Sequence, residues 1–315
     1  MGLSCGIDVG GTKIAGGVVD EDGRVLERTR LESPARDAQA MIDAIARLID
    51  DLKQRHEIAT VGVGAAGYID KQRATVLFAP NLAWRHLDLK DQLESRVHLP
   101  VVVENDANAA AWGEFRFGAG ADVDDLLLVT VGTGVGGGLV LDGELYRGAF
   151  GVGAEIGHFR VVPGGHLCGC GNRGCFEMYA SGSALVRRTR DSAEARSLLA
   201  AALLERADGD PENVDGPMVT ALAQEGDPFA REQLDTLGRW LGEGIASLTA
   251  VLDPAVVAIG GGVSEAGDLL LDPVRAAFQA NLTGRGYRPT LELRLASLGN
   301  QAGLIGAADL ARRDA

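Results

Sequence analysis

Positive charge is scarce in this sequence: 30 lysines and arginines stand against 44 aspartates and glutamates, a formal net charge of −14 over 315 residues. A sequence-independent nucleic-acid binder needs a basic face to neutralise phosphates, which this chain does not offer, and an anionic membrane surface is disfavoured for the same reason, so neither is an expected partner. A phosphate-bearing small ligand is not excluded, because backbone amides and a metal can hold it locally. Aromatics are sparse at 5%, which leaves the cores to Val, Leu, Ile and Ala. No apolar run reaches the ~20 residues of a membrane-spanning helix; the best stretch, Leu126 to Leu141, is broken by Thr130, Thr133 and five glycines. The opening Met-Gly-Leu-Ser-Cys-Gly-Ile-Asp has no basic start of a secretory leader, and Gly6 stands where a myristoylation signal has Ser or Thr. The expected setting is therefore the cytoplasm. Of only four cysteines, Cys168, Cys170 and Cys175 fall within eight residues, which in a cytoplasmic chain favours metal over disulfide. No G-x-x-x-x-G-K-[ST] occurs, so a Walker-type phosphate loop is excluded.

What is present is glycine, 44 residues of it, clustered inside apolar runs. Such clusters mark tight turns and close backbone approach to a ligand. The length suggests two domains. Ser4–Val9 and Ile14–Val19 read as a β-hairpin, followed by a strand over Val25–Arg30 and a helix over Ala38–Glu57 with apolar residues at helical spacing. Val61–Ala65 and Pro100–Glu104 read as buried strands, the second opening directly into a helix over Asp106–Phe117. Leu126–Leu141 repeats the strand–glycine–strand unit of the N-terminus, which hints at a duplicated architecture. Ala149–Cys175 reads as irregular and too long for an idle loop. Beyond it come a helix over Pro228–Leu252, strands over Ala255–Ile259 and Leu291–Ala296, and a closing helix over Gly303–Arg312.

Asp8-x-Gly10-x-Thr12 lies on the first hairpin turn. Glycine lets the backbone approach a phosphate, Thr12 and the amides donate, Lys13 adds charge, and Asp8 can hold Mg²⁺ through water. The plainer reading is a tight turn that contains an Asp. Gly132-Thr133-Gly134-Val135-Gly136-Gly137 contains G-x-G-x-x-G, but a strand and not a helix is expected after it, so the dinucleotide reading is rejected in favour of a second phosphate-facing hairpin tip. Gly260-Gly261-Gly262 after a strand admits either a flat ligand or close packing, with Ser264 as the expected N-cap of the next helix. Glu104-Asn105-Asp106-Ala107-Asn108 has more polar side chains than one helix cap requires, and a carboxylate at a strand end can accept a hydroxyl proton. His158, Cys168, Cys170 and Cys175 form a closed N/S set of the structural Zn²⁺ kind, against the alternative of unrelated thiols. Glu155 and Glu177 flank it as ordinary surface acids or as grips for sugar hydroxyls, and Cys5, on an apolar strand, reads as core.

Taken in order, Asp8-Val-Gly-Gly-Thr12-Lys13, Glu104-Asn-Asp106-Ala-Asn, Gly132-Thr-Gly134, Gly153-Ala-Glu155-Ile-Gly-His158, Cys168-Gly-Cys170-Gly-Asn-Arg-Gly-Cys175-Phe-Glu177 and Gly260-Gly-Gly-Val-Ser264 resemble the ROK family of repressors, open reading frames and kinases. The likeness is greatest to its bacterial ATP-dependent glucokinases. The resemblance implies an α/β fold of two actin-like (ribonuclease H-like) domains around a central ligand cleft. The small domain would be 1–119 plus 297–315, and the large one 120–296 with the zinc loop. It implies Asp106 as catalytic base, and Asn81, Asn105, Asp106, Glu155, His158 and Glu177 as sugar ligands. It further implies Asp8, Gly10, Gly11, Thr12, Lys13, Gly132, Thr133 and Gly134 around the phosphates, Gly261 near the adenosine, and a zinc on His158, Cys168, Cys170 and Cys175. His158 would then reach the sugar through its other nitrogen. ATP, Mg²⁺ and a structural Zn²⁺ are implied as well, as is a homo-oligomer, dimer or tetramer. Two features depart from the pattern: Gly64-Ala65-Ala66-Gly67 stands where many members have Gly-x-Pro-Gly, and the first strand begins near Ser4, where the family's repressors carry a helix-turn-helix arm.

The expected reaction is phosphorylation of D-glucose at its 6-hydroxyl, giving glucose 6-phosphate and ADP. Another hexose (N-acetylmannosamine, fructose or mannose) on the same residues is the alternative substrate, and a non-catalytic sugar-sensing regulator is the alternative class.

Overall fold

The chain opens on a strand that is apolar on both sides, Leu-Ser-Cys-Gly-Ile-Asp-Val, as befits the middle of a covered sheet. The structure, a computed structural model, describes residues 2–195 and 198–314. Its first elements are β1 (Leu3–Val9), β2 (Lys13–Val19), β3 (Val25–Glu32), α1 (Ala38–Lys53) and β4 (Ile58–Ala65). The small strands β5 (Tyr68–Ile69), β6 (Thr75–Phe78) and β7 (Arg85–Asp88) come next, then α2 (Leu89–Val97), β8 (Val101–Asn105) and α3 (Asp106–Phe117). After these come β9 (Leu126–Val131), β10 (Val135–Leu141), β11 (Glu144–Tyr146), α4 (Glu177–Ala180), α5 (Gly182–Glu194), α6 (Ala201–Arg206) and α7 (Gly216–Gln224). The chain ends with α8 (Pro228–Leu252), β12 (Val256–Gly260), α9 (Asp268–Asn281), β13 (Glu292–Leu295) and α10 (Ala302–Asp314).

Two five-stranded sheets share one strand order, β3-β2-β1-β4-β8 and β11-β10-β9-β12-β13: three strands consecutive in the chain lie side by side, then two later strands are added beyond the first of them. The duplication hinted at by the two glycine-tipped hairpins is real at the level of topology. In the first sheet β1 runs parallel to β4, with Asp8 opposite Gly64, and β4 runs parallel to β8, with Gly64 opposite Glu104. The carboxyl ends of β1, β4 and β8 therefore lie along one edge, where open α/β sheets bind ligands.

The chain divides into two compact units. Unit 1 is Met1–Leu128, Gly137–Ala154 and Ala296–Ala315; unit 2 is Val129–Gly136 and Glu155–Leu295. The core of unit 1 joins β1, β4 and β8 to α1 and α2 through Ile7, Val63, Val103, Ile45, Ile49 and Leu93. On the sheet's other face α10 comes so close that a Cβ on Gly62 would lie 1.8 Å from the Ala307 carbonyl oxygen, and one on Gly6 2.0 Å from that of Leu304. Gly62→Ala should therefore destabilise the protein by about 3 kcal/mol or more, because backbone and not a movable side-chain tip is in the way. Urea unfolding measures this, and a change under ~0.5 kcal/mol would show that the α10 packing is misdescribed.

Three local expectations fail. The first helix ends at Lys53, capped by Gln54, and the chain turns at His56 into β4, so it never reaches Glu57. The sequence pattern announces no element over 68–99, where a three-stranded sheet and α2 are found. Ser264 is not an N-cap: it lies inside a 3-10 turn, Gly262–Ala266, and its hydroxyl donates back to the Gly261 carbonyl at 2.7 Å. Helix α9 starts instead from Gly267.

Candidate active site

In unit 1, Asn105 leaves the strand in an extended conformation and caps α3, its Oδ1 accepting from the Asn108 amide at 3.0 Å. Its Nδ2 donates to the Gly67 carbonyl at 3.1 Å, which ties the Gly64–Gly67 turn to the helix start. With that task filled, Asp106 is the first residue of the helix and not its cap. The Asp106 carboxyl is pushed above its ordinary range, burial outweighing the amides of Ala107 and Asp106 itself that favour the anion. Asp8 belongs to the same cluster: a Cβ on Gly303 would lie 3.7 Å from the Asp8 carboxyl carbon and 3.8 Å from the Asp106 carbonyl oxygen. Burial first, and then the Asp106 charge, raise Asp8 to about 6 against a smaller pull from Arg28.

The β1–β2 turn beside them is held by the Gly10 amide on the Lys13 carbonyl at 3.0 Å. Thr12 and Lys13 are exposed, and Asn81 sits against Gly11, its Cβ 3.4 Å from where a Gly11 side chain would begin. Unit 1 thus brings together Asp8, Gly10, Gly11, Thr12, Asn81, Asn105 and Asp106.

A buried pair of like charges has a thermodynamic consequence. An acid whose folded pKa is raised supplies stability fully at pH below its unfolded value of ~3.9, and that contribution is lost as pH rises through about 6. The ligand-free protein at pH 7.5 should therefore be stabilised by Asp8→Asn by ~2–3 kcal/mol, a gap that narrows as pH falls through about 6 and closes only near pH ~4. Guanidinium unfolding at the two pH values tests it; destabilisation at both would refute the electrostatic account.

In unit 2 the hairpin tip Gly132-Thr133-Gly134 is bound to the first turn of α5: the Gly182 amide donates to Gly132 at 2.8 Å and the Ser183 amide to Thr133 at 3.4 Å. A strand, β10, and not a helix comes after the tip. Beside it opens a cavity of about 970 Å³ lined by Gly132, Thr133, Gly182, Ser183, Pro217, Thr220, Gly262 and Val263 among others. The volume suits a nucleotide-sized ligand. Gly261 itself, at φ 85°, is needed for packing, since a Cβ there would meet the Val131 backbone at 2.5 Å; its neighbour Gly262 lines the cavity. Helices α5 and α7 supply walls that no sequence motif announced.

The cysteine segment folds through two β-bridges, Arg160 with Cys175 and Leu167 with Arg173. They bring His158, Cys168, Cys170 and Cys175 together so that one donor atom from each lies within 4.8 Å of all the others. Cys168 Sγ is 3.6 Å from His158 Nδ1 and Cys170 Sγ is 3.6 Å from Cys175 Sγ. Tetrahedral zinc with Zn–S bonds of ~2.3 Å has edges of about 3.8 Å, so the set fits that ion. Because Nδ1 faces the thiols, Nε2 is the ring nitrogen left for another partner. Burial pushes the Cys168 and Cys175 thiols up, so their deprotonation is linked to metal capture. Cys170 is lowered because hydrogen bonds from the Asn172 amide and the neighbouring thiols outweigh burial. Cys5, fully buried and pushed up to about 12, is an inert core thiol.

Glu177 connects the metal set to the hairpin tip. Its Oε1 is 2.9 Å from Cys168 Sγ and 3.5 Å from His158 Nδ1, while its Oε2 lies 2.6 Å from where a Gly134 Cβ would stand. Glu155 is exposed at the start of the turn that carries His158. No helix among the described residues is long and apolar enough to cross a membrane.

Comparison with known proteins adds three relatives and a family. The model of the ROK family matches residues 4–314. The chain is 50% identical to a glucokinase of Streptomyces coelicolor, over 99% of this chain and 98% of that one. It is 32% identical to the xylose repressor of Bacillus subtilis, over 98% of this chain and 77% of the repressor. A solved ROK family glucokinase from Streptomyces griseus, in complex with glucose and AMPPNP, superposes with a TM-score of 0.91 at 52% identity, covering 99% of this chain and 100% of that one.

Proposed function

This chain belongs to the ROK family, and from that premise we propose that it is an ATP-dependent glucokinase, forming glucose 6-phosphate and ADP. The observation that carries the proposal is that Asn105 caps α3, which leaves the Asp106 carboxylate beside Asp8 at the strand ends, free to serve as a base. The names of the two glucokinase relatives support the substrate.

In this reading Asp106 takes the proton from the 6-hydroxyl as the γ-phosphoryl is transferred; little basicity is required, because the transition state is loose and positioning dominates. Asn81, Asn105, Glu155, His158 and Glu177 bind the remaining hydroxyls. The turn Gly10–Lys13 and the tip Gly132–Gly134 hold the phosphates, and the cavity lined by Ser183, Pro217 and Val263 takes the nucleoside. Asp8 would hold Mg²⁺ through water, and the ion would supply charge neutralisation at the terminal phosphates. The raised Asp8 and Asp106 fit this role, since a cation relieves the charge that burial leaves uncompensated. His158, Cys168, Cys170 and Cys175 would hold the zinc, which would do no chemistry and would fix the His158 ring. A cytoplasmic setting and a homodimer or homotetramer complete the proposal.

The repressor among the relatives keeps a second reading in view, sugar binding without transfer. A panel of sugars in a coupled ADP-release assay separates the possibilities. Glucose should exceed mannose, fructose and N-acetylmannosamine by about tenfold or more in kcat/KM. Preference for another sugar would reassign the substrate, and sugar binding without ADP release would favour the regulator.

A further inference from the structure

A second buried acid stands two residues before Asp106, and the helix start does not require it. Glu104 is 1% exposed. Its Oε1 accepts from the Asn105 amide at 2.9 Å and from Asn108 Nδ2 at 3.1 Å, the two residues that frame Asp106 in the first turn of α3. Its Oε2 is 3.0 Å from Arg73 Nε and 2.7 Å from Arg147 Nε. Arg147 also donates to the carbonyls of Lys71 at 2.9 Å and Asp70 at 2.8 Å. Its own carbonyl accepts from the Gly153 amide at 3.0 Å. Arg73 adopts a left-handed φ of 57°, pairs with Asp314, and accepts the Val103 amide on its carbonyl at 2.9 Å. Such a backbone conformation at a non-glycine residue persists only where its surroundings impose it.

Burying one carboxylate between two guanidinium groups gives no assured gain in stability over an apolar filling, whereas it does fix geometry. The geometry fixed here is specific. One oxygen of Glu104 holds the turn that presents Asp106. The other, through Arg147, holds the segment 147–153, which runs on along the chain to Glu155. We infer that Glu104 and Arg147, supported by Arg73, form a positioning network that sets the Asn105–Asp106 turn and couples it to the segment preceding Glu155; for its kinetic consequences the inference rests on the kinase reading above. None of the three residues is assigned to contact substrate.

The test compares Glu104→Gln, Arg147→Met and their double variant with Glu114→Gln. Glu114 is an equally buried carboxylate at the far end of α3 that accepts from Ala119, Ser297 and Leu298. Each of the two network variants should lower kcat on glucose about 30-fold while KM for ATP stays within about twofold. The double variant should be within about threefold of Glu104→Gln alone, because the two side chains act as one unit. Glu114→Gln, at a matched loss of thermal stability, should keep kcat within about threefold, which a merely structural role for Glu104 would not predict. If Glu104→Gln does not fold, Arg147→Lys carries the expectation: it keeps the charge, loses the two carbonyl contacts, and should lower kcat about tenfold. Network variants within threefold of wild type, or a control that loses as much as they do, would overturn the inference. A wild type inert on every sugar would remove the kinase reading instead. The network would then be judged by the crystal structure of Glu104→Gln, in which the Asn105–Asp106 turn must shift by about 1 Å and its failure to shift would overturn the inference.

Discussion

Asp106→Asn will lower kcat on glucose by about 10³-fold while leaving the dissociation constant for glucose within about fivefold. The amide keeps the shape of the carboxylate and can still hydrogen-bond a hydroxyl, but it cannot take the proton. The substitution has a second signature. The Asp106 charge is one of the two forces that raise Asp8, so its removal should bring Asp8 back toward the usual carboxylate range and stabilise the ligand-free protein above pH 6. A dead but more stable enzyme is the expected phenotype of a charge kept for function and not for folding. Calorimetric glucose titration, single-turnover kinetics and unfolding at two pH values read all three quantities. Turnover within tenfold of wild type would mean that the base lies elsewhere.

Cys175→Ser will release the metal and raise KM for glucose about 10- to 100-fold, with a large loss of thermal stability. Metal analysis should find about one zinc per wild-type chain and far less in the variant. The reasoning runs through geometry: His158 Nδ1 faces Cys168 at 3.6 Å, so a metal there fixes the ring and aims Nε2. Glu177, 2.9 Å from Cys168 Sγ, depends on the same loop. Losing the metal therefore disorders two proposed sugar ligands at once. The kcat at saturating glucose should fall less than the affinity does, because Asp106 and the phosphate turns are built from other elements. Wild-type protein purified with protected thiols and found free of zinc would refute the assignment.

Much of the fold and the site could be read from the sequence, for physical reasons that differ from place to place. The expected α/β, two-domain actin-like class holds, as shown by the match to solved ROK sugar kinases. That class was implied by the ordered motifs that resemble the ROK family; what the residues themselves made legible were β1, β4 and β9, short apolar runs closed by glycine and polar turn residues, the strongest local signals a chain carries. The cysteine–histidine set was legible because its ligands crowd into a short, polar, glycine-rich stretch unsuited to a core. The strand-to-helix junction at Asn105 was legible because a cap needs one polar side chain and several were present.

Other features were not, because they depend on contacts distant in sequence. The cavity walls at Ser183, Thr220 and Val263 come from α5, α7 and the turn after β12, and each residue alone is unremarkable in its helix or turn. The partnership of Glu104 with Arg73 and Arg147 spans up to 43 positions and leaves no periodic trace. Ser264 misled because Ser after a glycine run resembles a cap, whereas the chain forms a 3-10 turn there and starts its helix four residues later. The strands β5 to β7 were missed because they are two to four residues long, too short for alternation to show.

The central claim is that this chain moves a phosphoryl group onto glucose. The direct measurement is phosphorus NMR of a reaction containing the protein, ATP, Mg²⁺ and glucose, with the sugar product identified by its carbon shifts. The account predicts ADP and glucose 6-phosphate in equal amounts, and neither product when glucose is left out. ADP formed at the same rate without glucose, or glucose bound with every phosphate still on ATP, would contradict it.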